Sequence, residues 1–157
     1  MPVHSLHVFD RKGKTLFTKR FIKDTEETDP EQLSEQRKLV FGMLFSLREV
    51  AASLAPDSKA KDSGLHSVKT GASTLHTYET ASGLRFALYV TNDISITSNN
   101  SSNNYSGIRT ALQHIYDDLW IQCVIRSPLY TPTHPNVTDT NFEAKLDGFL
   151  QAQTWYR

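Results

Sequence analysis

Hydrophobic and polar positions change period several times along the chain, and each change marks an element. Val3–Phe9 is β-rich, and Lys14–Phe21 alternates, with Leu16 on one face and Phe17 and Phe21 on the other. Asp10-Arg11-Lys12-Gly13 between them is turn chemistry with a glycine available for positive φ, so the pair predicts a hairpin. His4 and His7 are oddly spaced, which puts them on opposite faces of a regular strand. A helix follows: Asp29 suits the N-cap, Pro30 the first helical position and Gln32 the capping-box position, and Pro56 stops it. At about 100° per residue, Leu33, Val40, Met43, Leu44, Leu47, Ala51 and Leu54 form one stripe suited to lie on a sheet. Phe41, Phe45 and Ala52 fall roughly 100–140° away. A surface helix needs one apolar stripe, so the excess asks for a second contact.

Three further strands are predicted at Leu65–Thr70, Leu75–Thr80 and Leu84–Val90. The last presents Leu84, Phe86, Leu88 and Val90 on one face. The stretch from Thr97 to Ser106 is polar and low in complexity, which predicts a flexible loop at about 97–106. A second helix runs from near Ser106 to before Pro128, where Ile108, Leu112, Ile115, Leu119 and Cys123 share a face at helical spacing. Tyr116 and Trp120 sit to one side, with Ile121, Val124 and Ile125 on other faces. A segment this apolar all round predicts burial on several sides. A last helix, about Thr138 to Ala152, offers Phe142, Leu146, Phe149 and Leu150 to the core.

Composition narrows the function. The 157 residues fit a single domain over 1–157. Lys plus Arg and Asp plus Glu both total 17, so the balance is neutral and lacks the basic excess of a nucleic-acid binder. Six basic residues nevertheless fall between Arg11 and Lys23, followed by six acidic ones from Asp24 to Glu35. They read either as a solvated turn with a lysine-bearing edge strand, or as a patch for a membrane or acidic partner. One cysteine, Cys123, allows no internal disulfide and reads as a small core hydrophobe. No apolar run approaches the roughly 20 residues that span a bilayer, and no leader is visible, so a cytosolic protein is expected.

Catalytic signatures are missing. The seven glycines form no phosphate cradle, and no nucleophile elbow occurs. His66 and His76 lie on neighbouring predicted strands without a cysteine or carboxylate cluster, and Asp117 and Asp118 point about 100° apart. Neither cofactor nor metal is expected.

The order β-β-α-β-β-β-α-α, with LHVFDRKG (6–13), VFGMLFSLREV (40–50), LHTYETASG (75–83) and LQHIYDDLWIQCVIRSPLY (112–130), resembles the sybindin family. These are the longin-type small subunits, of the subunit-one type, of the TRAPP vesicle-tethering complex. The resemblance implies an α+β, longin-like (profilin-like) fold: a five-stranded antiparallel sheet with one helix on one face and two on the other. It further implies partners, namely a second longin-type subunit and Bet-three-type subunits. Through the assembled complex it implies nucleotide exchange on a Rab1/Ypt-class GTPase in transport from endoplasmic reticulum to Golgi. The chain would then be no enzyme by itself, cytoplasmic, and only peripherally associated with Golgi and endoplasmic reticulum membranes. The surplus apolar residues Phe41, Phe45, Tyr116, Trp120, Ile121 and Val124 become candidate subunit contacts, the competing reading being a larger core with the last helix over Trp120. The other architectures considered are an adaptor small subunit with no exchange role and a SNARE regulatory module. A SNARE would need a heptad segment and anchor that are not seen before Arg157. Two segments depart from the family pattern: the Asn/Ser run at 98–104 and the acidic connection at 24–29 both look extended.

Overall fold

The computed structural model describes residues 3–22, 29–54, 64–92, 101–133, 137 and 141–156. Strands β1 (Val3–Phe9), β2 (Thr15–Arg20), β3 (Ser67–Lys69), β4 (Ser73–Glu79) and β5 (Arg85–Thr91) form one sheet. Its order is β2-β1-β5-β4-β3, antiparallel throughout. Helix α1 (Pro30–Leu54) covers one face. The other face carries α2 (Ser101–His114), its direct π-helical continuation Ile115–Ile125, and α3 (Phe142–Gln151). The expected fold, one helix against two across a five-stranded antiparallel sheet, is the one observed.

Local chemistry explains the turns and caps. Asp10 Oδ1 accepts the backbone N–H groups of Lys12 and Lys14, both at 2.8 Å, and Gly13 takes φ of 89°. The β1–β2 hairpin is thus closed by an aspartate that replaces missing ladder bonds. Asp29 Oδ1 accepts from Glu31 N at 3.3 Å, which makes it the N-cap of α1. Helix α1 ends at Leu54; the stop at Pro56, the acidic connection at 24–28 and the start of the last helix at 138–140 lie outside the described residues.

Two β-bulges overturn the face assignments in the first hairpin. Thr15 pairs with Phe9 and Phe17 with Val8, so Leu16 is the extra residue, and Leu16 and Phe17 both pack against the same core. Between Val3 and Ser5 a second shift, against Val90 and Tyr89, inserts His4 as an unmatched residue. His4 and His7 therefore lie on the same side of the sheet, not on opposite faces.

The larger core joins Leu6, Val8, Phe86, Leu88 and Val90 of the sheet to Ile108, Leu112, Phe142, Leu146 and Leu150 of the helices. A chain of edge-to-face rings crosses it: Phe17 on Phe142 (5.1 Å), Phe142 on Trp120 (5.3 Å) and Trp120 on Phe86 (5.9 Å). In the smaller core, under α1, Phe9, Leu44, Leu75 and Ala87 alone are fully buried among the described residues.

Helix α2 starts at Ser101, so part of the Asn/Ser run expected to be loop is helical, while 93–100 lie outside the described residues. Ser and Asn are weak helix formers, and packing of Ile108 and Leu112 overrides that weakness. From Ile115 the hydrogen bonding widens to the π type, and Arg126 N still donates to Ile121 O, five residues back, at 2.9 Å. The buried residues accordingly fall at Ile115, Trp120 and Val124, spaced by five and four, and Leu119 and Cys123 move to the half-buried flank.

Candidate functional site

The π register decides which surplus apolar residues remain available for contacts. Trp120 is 1% exposed and Val124 is fully buried, both within the chain's own core. The expectation that they form a subunit contact is corrected: a period of 3.6 places them off the core face, but the wider π turn rotates them onto it. The competing reading, with the last helix covering Trp120, is the one observed, through Phe142. Tyr116 is half-buried against Phe86 and Tyr78 (5.9 and 6.3 Å), and Ile121 is half-buried.

On the opposite face Phe41 is also largely absorbed. Its ring meets Phe9 edge-on at 5.7 Å, and a β-carbon on Gly13 would come within 2.8 Å of it. Only a glycine, at positive φ and without a side chain, lets the β1–β2 turn approach this ring. Phe45 differs. It is 49% exposed and stacks outward on Phe41 at 6.5 Å. Beneath both rings lies the Arg85 guanidinium, 5.0 Å from the centre of Phe41 and 5.6 Å from that of Phe45. Arg85 is 5% exposed, and Glu79 Oε2 lies 3.6 Å from its Nε and 3.1 Å from Arg48 Nε. Two guanidinium groups thus share one carboxylate, which leaves this patch with positive charge under an exposed aromatic ring.

Leu39, Val50 and Leu54 extend the exposed apolar surface of α1. Leu54 belonged to the stripe expected to lie on the sheet, yet it is 76% exposed and only Leu44 of the whole helix is fully buried. The other stripe residues, Leu33, Val40, Met43, Leu47 and Ala51, are half-buried around Leu44, so α1 turns the expected face to the sheet but is lightly seated on it. No described helix is long and apolar enough to cross a membrane.

The N-terminal half of α1 and the sheet enclose a cleft of about 580 Å³ lined by His4, Ser5, His7, Thr18, Arg20 and Arg37 among others. His7 Nε2 is 3.2 Å from Ser5 Oγ and its Nδ1 is 3.1 Å from Thr18 Oγ1. Burial, then the positive charges of Arg37 and Arg20, lower its pKa to about 4. A serine beside a histidine has the outline of a nucleophile–base pair. A base this weak gives little drive to take a hydroxyl proton at neutral pH, so the pair reads as structural. Sequence reasoning missed both the cleft and the buried Arg85. The available signal was the polar set Ser5, His7, Thr18 and Arg20 on the strand face turned toward an apolar helix.

Elsewhere, sequence candidates are occupied by ordinary pairings. His66 Nε2 accepts from Arg109 Nη1 at 2.8 Å, and burial lowers His76 to about 4. Asp117 and Asp118 are exposed, with Asp118 paired to His114. In the basic run, Lys19 Nζ reaches Glu143 at 2.8 Å and Asp147 at 2.6 Å on α3, so part of that charge is neutralised internally.

The Sybindin-like family profile matches residues 3–153. Trafficking protein particle complex subunit 1 of Homo sapiens is 30% identical over 156 residues, covering 99% of this chain and 97% of that protein. Trafficking protein particle complex subunit BET5 of Saccharomyces cerevisiae is 29% identical over 166 residues, covering 96% of each. Among solved structures, the gliding protein MglB of Thermus thermophilus overlays with a TM-score of 0.43 at 15% identity, over 68% of this chain and 71% of that one.

Proposed function

The chain belongs to the Sybindin-like family, and from that premise we propose that it is a core, non-enzymatic subunit of a TRAPP vesicle-tethering complex. What carries the reading is the end-to-end likeness to the human and yeast subunits, with no large part of either chain left unmatched. Residues 1–157 act as one longin-like domain whose partners are a second longin-type subunit and Bet-three-type subunits. Exchange on a Rab1/Ypt-class GTPase belongs to the assembled surface, in transport from endoplasmic reticulum to Golgi. The chain is accordingly cytoplasmic and peripheral to those membranes.

The exposed apolar face of α1 is the contact surface in this reading, with Phe45 as its anchor. Aromatic and arginine side chains dominate interface energetics because they bury large area at small entropic cost, and here they sit stacked and preorganised. Tyr116 and Ile121 are secondary candidates at the other face.

Co-expression with the longin-type and Bet-three-type neighbours tests the assignment. Size-exclusion mass should report one stable assembly, and GDP release from the GTPase should need this chain. A chain that stays monomeric while exchange proceeds without it would sink the reading.

A further inference from the structure

Beside the exposed ring of Phe45 lies a set of charges that is unevenly matched. Arg85 is buried, yet its Nε and Nη1 find no hydrogen-bond partner among the described residues. The rings of Phe41 and Phe45 attract its charge but accept in-plane N–H groups poorly. Glu79 is the nearby acceptor. Its Oε2 stops 3.6 Å from Arg85 Nε, too far for a hydrogen bond, and lies 3.1 Å from Arg48 Nε. The carboxylate thus leans toward the guanidinium that water can also serve, since the Arg48 side chain is 45% exposed and that of Arg85 only 6%. A buried donor left unpaired is more costly than an exposed one, so this division is unfavourable. Arg48 and Glu49 are three and four residues beyond Phe45, so both border its ring on the helix surface. The flank carries both signs, and the missing acceptors, not net charge, define what fits it.

We propose that the subunit docking over Phe45 presents a carboxylate to Arg48, and that Glu79 then closes on Arg85. The inference rests on the TRAPP-subunit reading and names the chemistry of its contact. Covering Phe45 strips water from Arg48 beside it, and a desolvated guanidinium with half a share of one carboxylate is destabilising. An aspartate or glutamate of the partner relieves this twice. It pairs with the Arg48 fork directly, and it releases Glu79 to supply the acceptor that buried Arg85 lacks. A lysine or an apolar side chain in that place leaves both guanidiniums short, so the pair discriminates between partners as well as holding one.

Co-expressed longin-type and Bet-three-type subunits are the probe, with affinity read by biolayer interferometry and folding of each variant checked by circular dichroism. Arg48→Gln should weaken association at least tenfold and Arg48→Glu should abolish it, while Arg48→Lys keeps part of the affinity. Arg126→Gln, at an exposed arginine ending the π-helical segment, should leave it unchanged. A scan of aspartate- and glutamate-to-lysine changes in the partners should find a position that restores binding to Arg48→Glu. In the isolated chain Arg48→Gln frees Glu79, so the Arg85 Nε–H proton resonance should move downfield, and assembly of the wild-type chain should move it the same way. Unweakened assembly of folded Arg48→Gln or Arg48→Glu, the lack of any rescuing partner position, or an unmoved Arg85 resonance overturns this inference and leaves the TRAPP reading standing. A wild-type chain that binds no subunit overturns both.

Discussion

The two faces of the sheet are built to different standards. Behind it, α2, the π-helical segment and α3 interlock through a continuous run of rings from Phe17 to Phe86, and Trp120 and Val124 are consumed there. In front, α1 buries a single residue completely, leaves a cleft under its first half and exposes Leu39, Phe45, Val50 and Leu54. Surplus hydrophobicity in a sequence therefore has two destinies. On one face it enlarges the chain's own core, and on the other it stays exposed at Leu39, Phe45, Val50 and Leu54.

Substitutions at matched depth break this comparison most sharply. Trp120→Ala should cost about 3–5 kcal/mol in urea unfolding, because it empties the ring chain on the packed face. Leu44→Ala should cost only about 2 kcal/mol, the low end for a buried leucine, since the open cleft lets the front face relax. Equal losses would show that the front is packed as tightly as the back.

Acid provides a second contrast. His7 faces α1, and His76 points to the opposite side of the sheet from Leu75 in the smaller core. Both hold pKa values near 4 against an ordinary 6.5. The unfolded chain then binds more protons between those values, so stability is complete above about pH 6.5 and is lost as pH falls toward 4. At about 1.4 kcal/mol per pH unit, the gap from 6.5 to about 4 lets each histidine contribute at most about 3–4 kcal/mol to that loss. Burial comes first at both sites, but only His7 also answers to Arg37 and Arg20. Arg37→Gln should raise the His7 value in an NMR titration and leave His76 where it is.

Gly13→Ala tests the hinge between turn and helix. Positive φ alone costs about 1–2 kcal/mol, and displacement of Phe41 adds to it. Smallest of all in the isolated chain is Phe45→Ala. Loss of its stacking over Arg85 should shift stability by no more than about 1 kcal/mol, while co-purification with partner subunits drops severely. A large stability loss with assembly intact would return Phe45 to the core and leave Leu39, Val50 and Leu54 to carry the contact.

Much of this was legible beforehand, for a physical reason. The Asp10–Gly13 turn, the Asp29 cap and the alternation through Phe86, Leu88 and Val90 are local patterns, and local patterns survive folding. What escaped the sequence depends on register. A bulge turns Leu16 to the side of Phe17, and another brings His4 to the side of His7, through strand pairing that no single segment encodes. The π segment likewise exchanges Leu119 and Cys123 for Trp120 and Val124, because wider turns are imposed by what the helix packs against. Of the proposed contact residues, Phe45 keeps its exposure, and its partner in the stack, the buried Arg85, carried no local signal at all.

The central pairing of the sheet has a consequence for biosynthesis. Strand β1 lies against β5, so Leu6 meets Leu88, about eighty residues later in the chain. At about 5–20 residues per second, the ribosome needs on the order of 4–16 s to supply that neighbour. By the end of this interval the first hairpin and the helix after it have been synthesised without the middle of their sheet. The apolar surface of that helix, like that of the hairpin before it, therefore waits for its partners in the nascent protein. Chaperones that hold it during translation, or partner subunits that capture it soon after release, would both protect the same leucines and the same phenylalanine.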